Sequence, residues 1–392
     1  MNKKLLAVAV ASAFGAFAAP VAMADTSNVT IYGVINMSVD SVDGGSGNAA
    51  GTCTAVGNTC PATAERRTRI SSNNSNIGFK GTEDLGNGLS AIWQYESAIS
   101  FDTQARNDQG SGDGTGTTGS RNTFAGFSSK TMGNLTFGNQ ESPMKTSISK
   151  LDMFGNTIAD YRTLIGTQVR MASSALYASP SFNGFDAKIG YSARNEAGND
   201  STTGSVSDPS YWSGSVTYAN GPILAAVAHE VEKAVTDTAT GTKQKTTRAG
   251  FGYNFGVAKV GIGYNTTKLD TTALSVTSNV KVNSWMVSGA YTMGKTTLKA
   301  QYVKSSDTSG SGATATSTSQ GAKQWTIGAD YTLSKRTNLY ALYTVLKNDT
   351  NSTRTLGGNA TVLGASTGVA TVSAASAGSD PKAISVGFVH SF

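Results

Sequence analysis

Apolar and polar positions alternate with a period of two along most of this chain. Ala249, Phe251, Tyr253 and Phe255 alternate with Arg248, Gly250, Gly252 and Asn254. Val260, Ile262 and Tyr264 alternate with Lys259, Gly261 and Gly263, and Trp325, Ile327, Ala329 and Tyr331 with Gln324, Thr326, Gly328 and Asp330. Ile384, Val386 and Phe388 repeat the pattern less cleanly, because Val389 follows. Side chains of a strand point alternately to its two faces, so this period predicts strands with one apolar and one polar face.

The strands are punctuated unequally. Gly86-Asn87-Gly88, Gly133-Asn134, Asn183-Gly184, Asn220-Gly221, Phe255-Gly256, Gly294-Lys295 and Ser334-Lys335-Arg336 mark seven short turns, where Gly and Asn accept positive φ. Longer polar stretches lie near 43–64, 102–120, 142–170, 195–210, 233–244, 270–280, 305–321 and 349–381. Seven turns alternating with eight long loops predict sixteen strands. One tidy end and one loop-rich end is the asymmetry of outer-membrane barrels, with short periplasmic turns and long extracellular loops. A polar, Gly-rich inner face is expected to form no dry core. The consistent solution is all-β: a 16-stranded antiparallel transmembrane β-barrel, apolar face to lipid and polar face to water. Closure leaves no backbone group unpaired, as a bilayer demands, and sixteen strands enclose a water-filled channel. Trp93, Tyr95, Tyr218, Tyr291, Trp325, Tyr331 and Tyr343 are candidates for aromatic belts at the lipid headgroups.

The start of the chain is read separately. Lys3 and Lys4 precede an apolar stretch from Leu5 to Ala19, and Ala22-Met23-Ala24 gives a small-x-small cleavage pattern. Residues 1–24 are expected to be a removed signal peptide and 25–392 the barrel. Export carries Cys53 and Cys60 to an oxidising compartment, where a disulfide is expected.

Composition narrows the chemistry. Only 14% of the 392 residues are charged and 45 are Gly, against about 25% charged residues in ordinary soluble chains. The 14 Phe, 14 Tyr and 4 Trp argue against disorder. His229 and His390 are the only histidines, too few for a multi-His metal site or a His relay. The net charge of +6, two of it in the leader, shows no basic face for nucleic acid. Gly289-Ala290-Tyr291-Thr292-Met293-Gly294-Lys295-Thr296 matches a phosphate loop, but alternation continues through Leu298, Ala300 and Tyr302 where that motif needs a helix. It is read as a hairpin turn. Neither an enzyme nor a cofactor is expected.

Four stretches carry a family resemblance. Val29-Thr30-Ile31-Tyr32-Gly33-Val34 opens the mature chain, and Ile77-Gly78-Phe79-Lys80-Gly81-Thr82-Glu83-Asp84-Leu85-Gly86-Asn87-Gly88-Leu89 follows the second strand. Phe137-Gly138-Asn139-Gln140 ends the fifth strand, and Val386-Gly387-Phe388-Val389-His390-Ser391-Phe392 closes the chain. Together they resemble the trimeric general diffusion porins of Gram-negative outer membranes, of the betaproteobacterial and neisserial type. The resemblance implies a homotrimer in outer-membrane lipid and lipopolysaccharide, one pore per subunit for small hydrophilic solutes, and a third loop, 142–170, folded inward. It also makes the terminal Phe392 an assembly signal. Asn76 and Asn139 stand where the family usually has Arg, and Val389 where a basic residue is common, which weakens any inherited ion selectivity.

With that loop folded inward, Lys145, Lys150, Arg162 and Arg170 oppose Asp152 and Asp160 across the pore, a field that sorts solutes by charge. Strand parity turns Lys80, Glu96, Lys188, Arg194, Arg248, Lys259, Lys299 and Asp330 inward. Arg69, with Arg66 and Arg67, adds to a basic wall, and Arg121 has ambiguous parity. The expected constriction is Asp152, Asp160, Arg162, Arg170, Lys145, Lys80, Arg69 and Arg121, with a mild anion preference. The alternative is a surface adhesin or receptor built on the barrel, for which the long 349–381 loop is compatible.

Overall fold

The computed structural model describes residues 28–45, 66–102, 119–166, 170–193, 210–235, 240–273, 276–311, 319–357 and 377–392. Residues 1–24, expected to be a signal peptide, and Cys53, Cys60 and Arg194 lie outside the described residues. Eighteen strands follow one another: β1 (Asn28–Asp43), β2 (Arg67–Ser72), β3 (Asn76–Gly86), β4 (Leu89–Ala98), β5 (Thr123–Ser129), β6 (Gly133–Glu141), β7 (Arg170–Ala178), β8 (Phe185–Ser192) and β9 (Ser210–Asn220); then β10 (Ile223–Val235), β11 (Thr240–Asn254), β12 (Ala258–Ala273), β13 (Val276–Met293), β14 (Thr296–Ser305), β15 (Ser309–Ser311), β16 (Ala322–Thr332), β17 (Thr337–Asn348) and β18 (Lys382–Ser391). All lie in one sheet, and all pairings are antiparallel.

Eighteen strands make sixteen staves. β1 pairs with β3 along its first half and with β2 along its second, so β2 and β3 are one stave interrupted at 73–75. β13 pairs with β14 and then β15 in the same way. The last stave returns to the first, Val34 opposite Ser391 through Asp43 opposite Lys382. Gly33 and Phe392 exchange two backbone hydrogen bonds of 3.1 Å, which completes the seam. Phe392 lies against the outer face of Gly33, where a Cβ would meet its ring at 2.5 Å.

The seven short turns stand where the sequence places them, but two of the eight expected loops do not. The 233–244 and 270–280 stretches belong largely to strands: β10 runs to Val235 and β11 starts at Thr240, while β12 runs to Ala273 and β13 starts at Val276. Thr-rich, β-branched sequence favours strand there despite its polarity. The Ile77–Leu89 stretch is the lower half of the second stave and its turn, rather than a segment following it.

The two faces differ as the alternation requires. Phe251, Val260, Ile262, Ile327, Val386 and Phe388 are exposed on the outer wall, whereas Gln244, Thr246, Asn265, Ser288, Gln301 and Thr326 are buried on the inner one. Outer aromatics form two belts. Phe185 and Tyr191, Tyr218 and Trp212, Tyr291 and Trp285, and Tyr331 and Trp325 are each six residues apart on one face. That is about 20 Å of strand. Cross-strand contacts join each belt: Phe185 to Tyr218 with centroids 4.6 Å apart, and Tyr191 to Trp212 at 4.4 Å.

Candidate functional site: the inward loop and the lumen wall

The loop after β6 turns into the barrel and runs along its inner wall. It begins with a short helix, α1 (Pro143–Ser147), in which Ser142 Oγ accepts from the Lys145 amide at 3.1 Å and Pro143 occupies the first turn. Both features favour a helix start. Met144 N donates to Ser213 Oγ on β9 at 3.0 Å. Ile148 and Leu151 then cross Gly250, Gly252, Gly261 and Gly263. A Cβ on Gly250 would stand 2.5 Å from Ile148, and one on Gly252 2.5 Å from Leu151. Ser288 Oγ donates to the Leu151 carbonyl at 2.5 Å, and Met153 N donates to Gln301 Oε1 at 3.1 Å. Phe154 covers Gly328 with Lys299 Nζ 4.8 Å from its ring centroid.

The tip reaches β1 and the break in the second stave. Asn156 O accepts from Asn36 Nδ2 on β1 at 2.8 Å, and Asn156 Oδ1 accepts from Asn74 Nδ2 at 2.6 Å. The loop then doubles back. Ser284 Oγ donates to the Leu164 carbonyl at 3.1 Å. Arg248, fully buried on β11, holds both legs: Nη1 donates to the Met144 carbonyl at 3.3 Å and Nη2 to the Gly166 carbonyl at 2.9 Å. Nε donates to Asn265 Oδ1 at 3.1 Å.

Between loop and wall lies a dry core, contrary to the expectation that the inner face forms none. Ile148, Leu151, Phe154, Ile158, Leu164 and Ile165 from the loop pack with Met286, Val303, Tyr340 and Leu342 from the wall. Burying such side chains stabilises by about 1.5–3 kcal/mol each. The inward glycines are the floor on which the loop lies.

The charged residues of the sequence reading fall into separate groups. Arg121, Lys145, Asp152, Asp160 and Arg162 line one polar cleft with Asn74 and Glu141. Arg170 joins them through Glu141: Lys145 Nζ stands 2.9 Å and Arg170 Nη2 3.5 Å from the same Glu141 Oε1. Arg121 Nε donates to Glu96 Oε1 at 2.5 Å, and its Nη1 donates to Asn74 Oδ1. Arg162 grips Asp160 with two bonds of 2.8 and 2.5 Å and Asn156 Oδ1 with a third of 3.1 Å. Arg69 stands apart, 3.3 Å from Asp40 Oδ2 on β1. Lys80 is also elsewhere, exposed in a cleft with Thr30 and Gln94, its Nζ 5.3 Å from the Tyr32 ring centroid.

Environment sets the charges in the loop. Burial and the neighbouring Asp160 push Asp152 up to about 7, against amide donation from Phe154 at 2.9 Å. Asp160 is buried too, yet Arg162 holds its carboxyl below the ordinary range. Burial and the nearby Arg170 and Arg162 bring Lys145 down to about 8, against the pull of Glu141.

Glu141, Asn74, Asn156 and the anchoring role of Arg248 escaped the sequence reading. Glu141 follows a register shift in β6 between Gly138 and Gln140, where the pairing with β7 slips. Parity counted along the strand fails across such a bulge. Arg121 precedes β5 and obeys no strand parity.

A closed sixteen-stave barrel with an apolar outer wall, a polar lumen and a loop folded across it defines a channel-forming outer-membrane protein. The Gram-negative porin family model matches residues 7–351, and the chain belongs to that family. It is 30% identical to the outer membrane porin protein 32 of Delftia acidovorans, over the whole of both chains. It is 31% identical to a major outer membrane protein P.IB of Neisseria meningitidis serogroup B, covering 86% of this chain and 91% of that one. Among solved structures it is similar to an anion-selective porin from Comamonas acidovorans, with a TM-score of 0.71 and 26% identity over 94% of this chain and 100% of that one. The protein is an outer-membrane porin, a water-filled channel for passive diffusion of small hydrophilic solutes.

Proposed function

We propose that the pore is narrowest where the inward loop faces Arg121, with Asp152, Asp160, Arg162, Arg170 and Lys145 around it, and that this section favours anions. One observation carries the reading: a single carboxylate, Glu141, serves two cations, Lys145 and Arg170. The other pairs cancel, Arg69 with Asp40, Arg121 with Glu96 and Arg162 with Asp160. Asp152 would offset the surplus, but with a pKa of about 7 it carries only part of its charge near neutrality. Fixed positive charge at a constriction concentrates anions and repels cations. The anion selectivity in the name of the Comamonas structure supports the same reading. Reversal potentials across a KCl gradient test it: chloride is expected to carry the larger share, and preferred potassium passage would overturn it.

Transport of this kind needs no catalytic step and no cofactor. Three copies assemble in outer-membrane lipid and lipopolysaccharide, each with its own pore, a reading that family membership supports. An SDS-resistant band at three times the monomer mass, collapsing on heating, checks this. Cleavage after Ala24, a Cys53–Cys60 disulfide and an assembly signal at Phe392 complete the reading. Mass spectrometry of the mature protein, with and without reduction, tests the first two. Folding yield of a Phe392→Ala variant tests the third.

A further inference from the structure

One stretch of the inner wall sets a cation beside an apolar surface. Thr30, Lys80, Gln94 and Phe124 stand directly opposite one another across β1, β3, β4 and β5. The next inward-facing row towards the turns pairs Thr82 with Ile92. All six line one cleft of about 510 Å³, an ordinary size for a small-molecule site. The cleft lies on the turn side of the constriction: Lys80 is two residues beyond Gly78, and Gly78 is opposite Glu96, the partner of Arg121.

The cation is positioned without being neutralised. A Cβ on Gly78 would stand 2.3 Å from the Tyr32 ring, so the ring takes the space that this glycine leaves open. Tyr32 OH donates to Glu96 Oε2 at 2.9 Å, which fixes the ring at its far end. Lys80 Nζ is 5.3 Å from the centroid of that ring, within cation–π range. Among the described residues no carboxylate pairs with Lys80. Asp84 lines the same cleft, but it is four residues along the strand, about 13 Å away. Its Oδ1 accepts from the Gly86 amide at 2.9 Å.

The apolar part has no partner within the fold. Phe124 and Ile92 are half-buried and take no part in the core between loop and wall. Covering them with a solute removes apolar surface from water. Lys80 and Phe124 are two staves apart, about 10 Å, which leaves room for one ring-sized anion between them. Gln94 Nε2 donates to Asn122 O at 3.3 Å and keeps a second N–H for a ligand. We infer that this cleft binds an amphipathic organic anion, a carboxylate carried on an aromatic ring. The carboxylate meets Lys80 and Thr30, and the ring lies against Phe124 and Ile92. The site thus sorts anions by their apolar part, which charge at the constriction does not do. This rests on the reading of the inner wall as the face of a water-filled pore.

The test uses three probes: benzoate, acetate as the same charge without a ring, and benzamide as the same ring without a charge. Binding to the processed, full-length protein in detergent is measured by equilibrium dialysis, with detergent alone as the blank. Block of single-channel current by the same probes is measured in planar bilayers. Benzoate is expected to bind and block at lower concentration than either acetate or benzamide. Lys80→Gln weakens benzoate about tenfold or more and leaves benzamide unchanged, whereas Lys80→Arg retains binding. Phe124→Ala weakens benzoate about fivefold and leaves acetate unchanged, and Phe124→Leu, which keeps apolar bulk, loses less. Equal affinity for benzoate and acetate overturns the inference. So does a Lys80→Gln variant that conducts normally and binds benzoate as the parent does. Parent protein that binds benzoate in the expected pattern but gives no stepwise conductance would sink the channel reading and leave the binding site standing.

Discussion

Asn74 Nδ2 donates to Asn156 Oδ1 at 2.6 Å, and each of these asparagines has a positive φ, 62° and 56° respectively. One sits in the break of the second stave and the other at the tip of the inward loop. Asn is the side chain that most readily adopts this left-handed backbone while still offering an amide. The two bends therefore meet through the groups that make the bends possible, and the loop tip is fastened to the second stave, in the same cleft as Glu141 at the loop's origin.

That pairing separates backbone from side chain. Asn156→Gly keeps the left-handed turn and removes only the amide, whereas Asn156→Ala strains the turn as well. Asn156→Gly is expected to cost about 0.5–1.5 kcal/mol and Asn156→Ala more. Both should raise open-channel noise in single-channel records, Ala the more strongly.

Arg248 is the heavier fastening. Arg248→Met keeps the bulk but leaves the Met144 and Gly166 carbonyls without their guanidinium donors. Losing two hydrogen bonds from a charged donor costs roughly 3–6 kcal/mol together. Lower unfolding temperature, and protease cleavage within 148–166 while the barrel stays folded, are the expected outcomes.

Selectivity is expected to follow Glu141. Glu141→Gln removes the negative charge that Lys145 and Arg170 share and should raise the chloride-to-potassium permeability ratio. Lys145→Gln removes the surplus cation and should lower it. Reversal potentials in the same KCl gradient measure both, and opposite signs for the two variants are the criterion.

Acid and base should move the ratio in a fixed direction. As pH falls through about 7, Asp152 gains its proton and the lumen becomes more positive; as pH rises through about 8, Lys145 loses its own and the lumen becomes less so. Anion preference is therefore expected to fall steadily from pH 6 to pH 9. Asp152→Asn should abolish the acid limb and leave the basic one. Asp152 also bears on stability: its pKa is raised on folding, so its contribution is fullest in acid and is lost as pH rises towards about 7.

The glycine floor can be tested by filling it. Gly252→Val sets a branched side chain where a Cβ alone would stand 2.5 Å from Leu151. The barrel should still form, since β11 is a strand that a β-branched residue suits. The loop should be displaced, with altered conductance and a stability loss of about 1–3 kcal/mol.

The barrel itself was legible in the residues because a bilayer reduces folding to local rules. Phe251, Ile262 and Ile327 look outward and Thr246, Asn265 and Thr326 inward because the strand period is two, and no tertiary contact is needed to say so. The seven turns were equally legible, since Gly86, Gly184 and Gly256 adopt the positive φ that short turns require. Where polarity was the guide, the reading failed: the Thr-rich ends of β10 to β13 are strand, because a polar strand above the membrane is as well hydrogen-bonded as a greasy one within it.

What only the tertiary structure decided is how the lumen is filled. Gly250 and Gly252 count as polar-face residues along the chain, yet they carry Ile148 and Leu151 in a dry core. Eight charges were expected at one constriction; five share a cleft, Arg170 joins them through Glu141, and Arg69 and Lys80 lie elsewhere. Alternation assigns a side chain to the inside of a barrel, but not to a height or a quadrant within it. Those depend on where a loop of many residues comes to rest, and that is fixed by long-range contacts such as Arg248 with Met144 and Gly166. Which face meets water and which meets lipid is written in sequence order, while the partner of each charge is settled only when distant staves close around the loop.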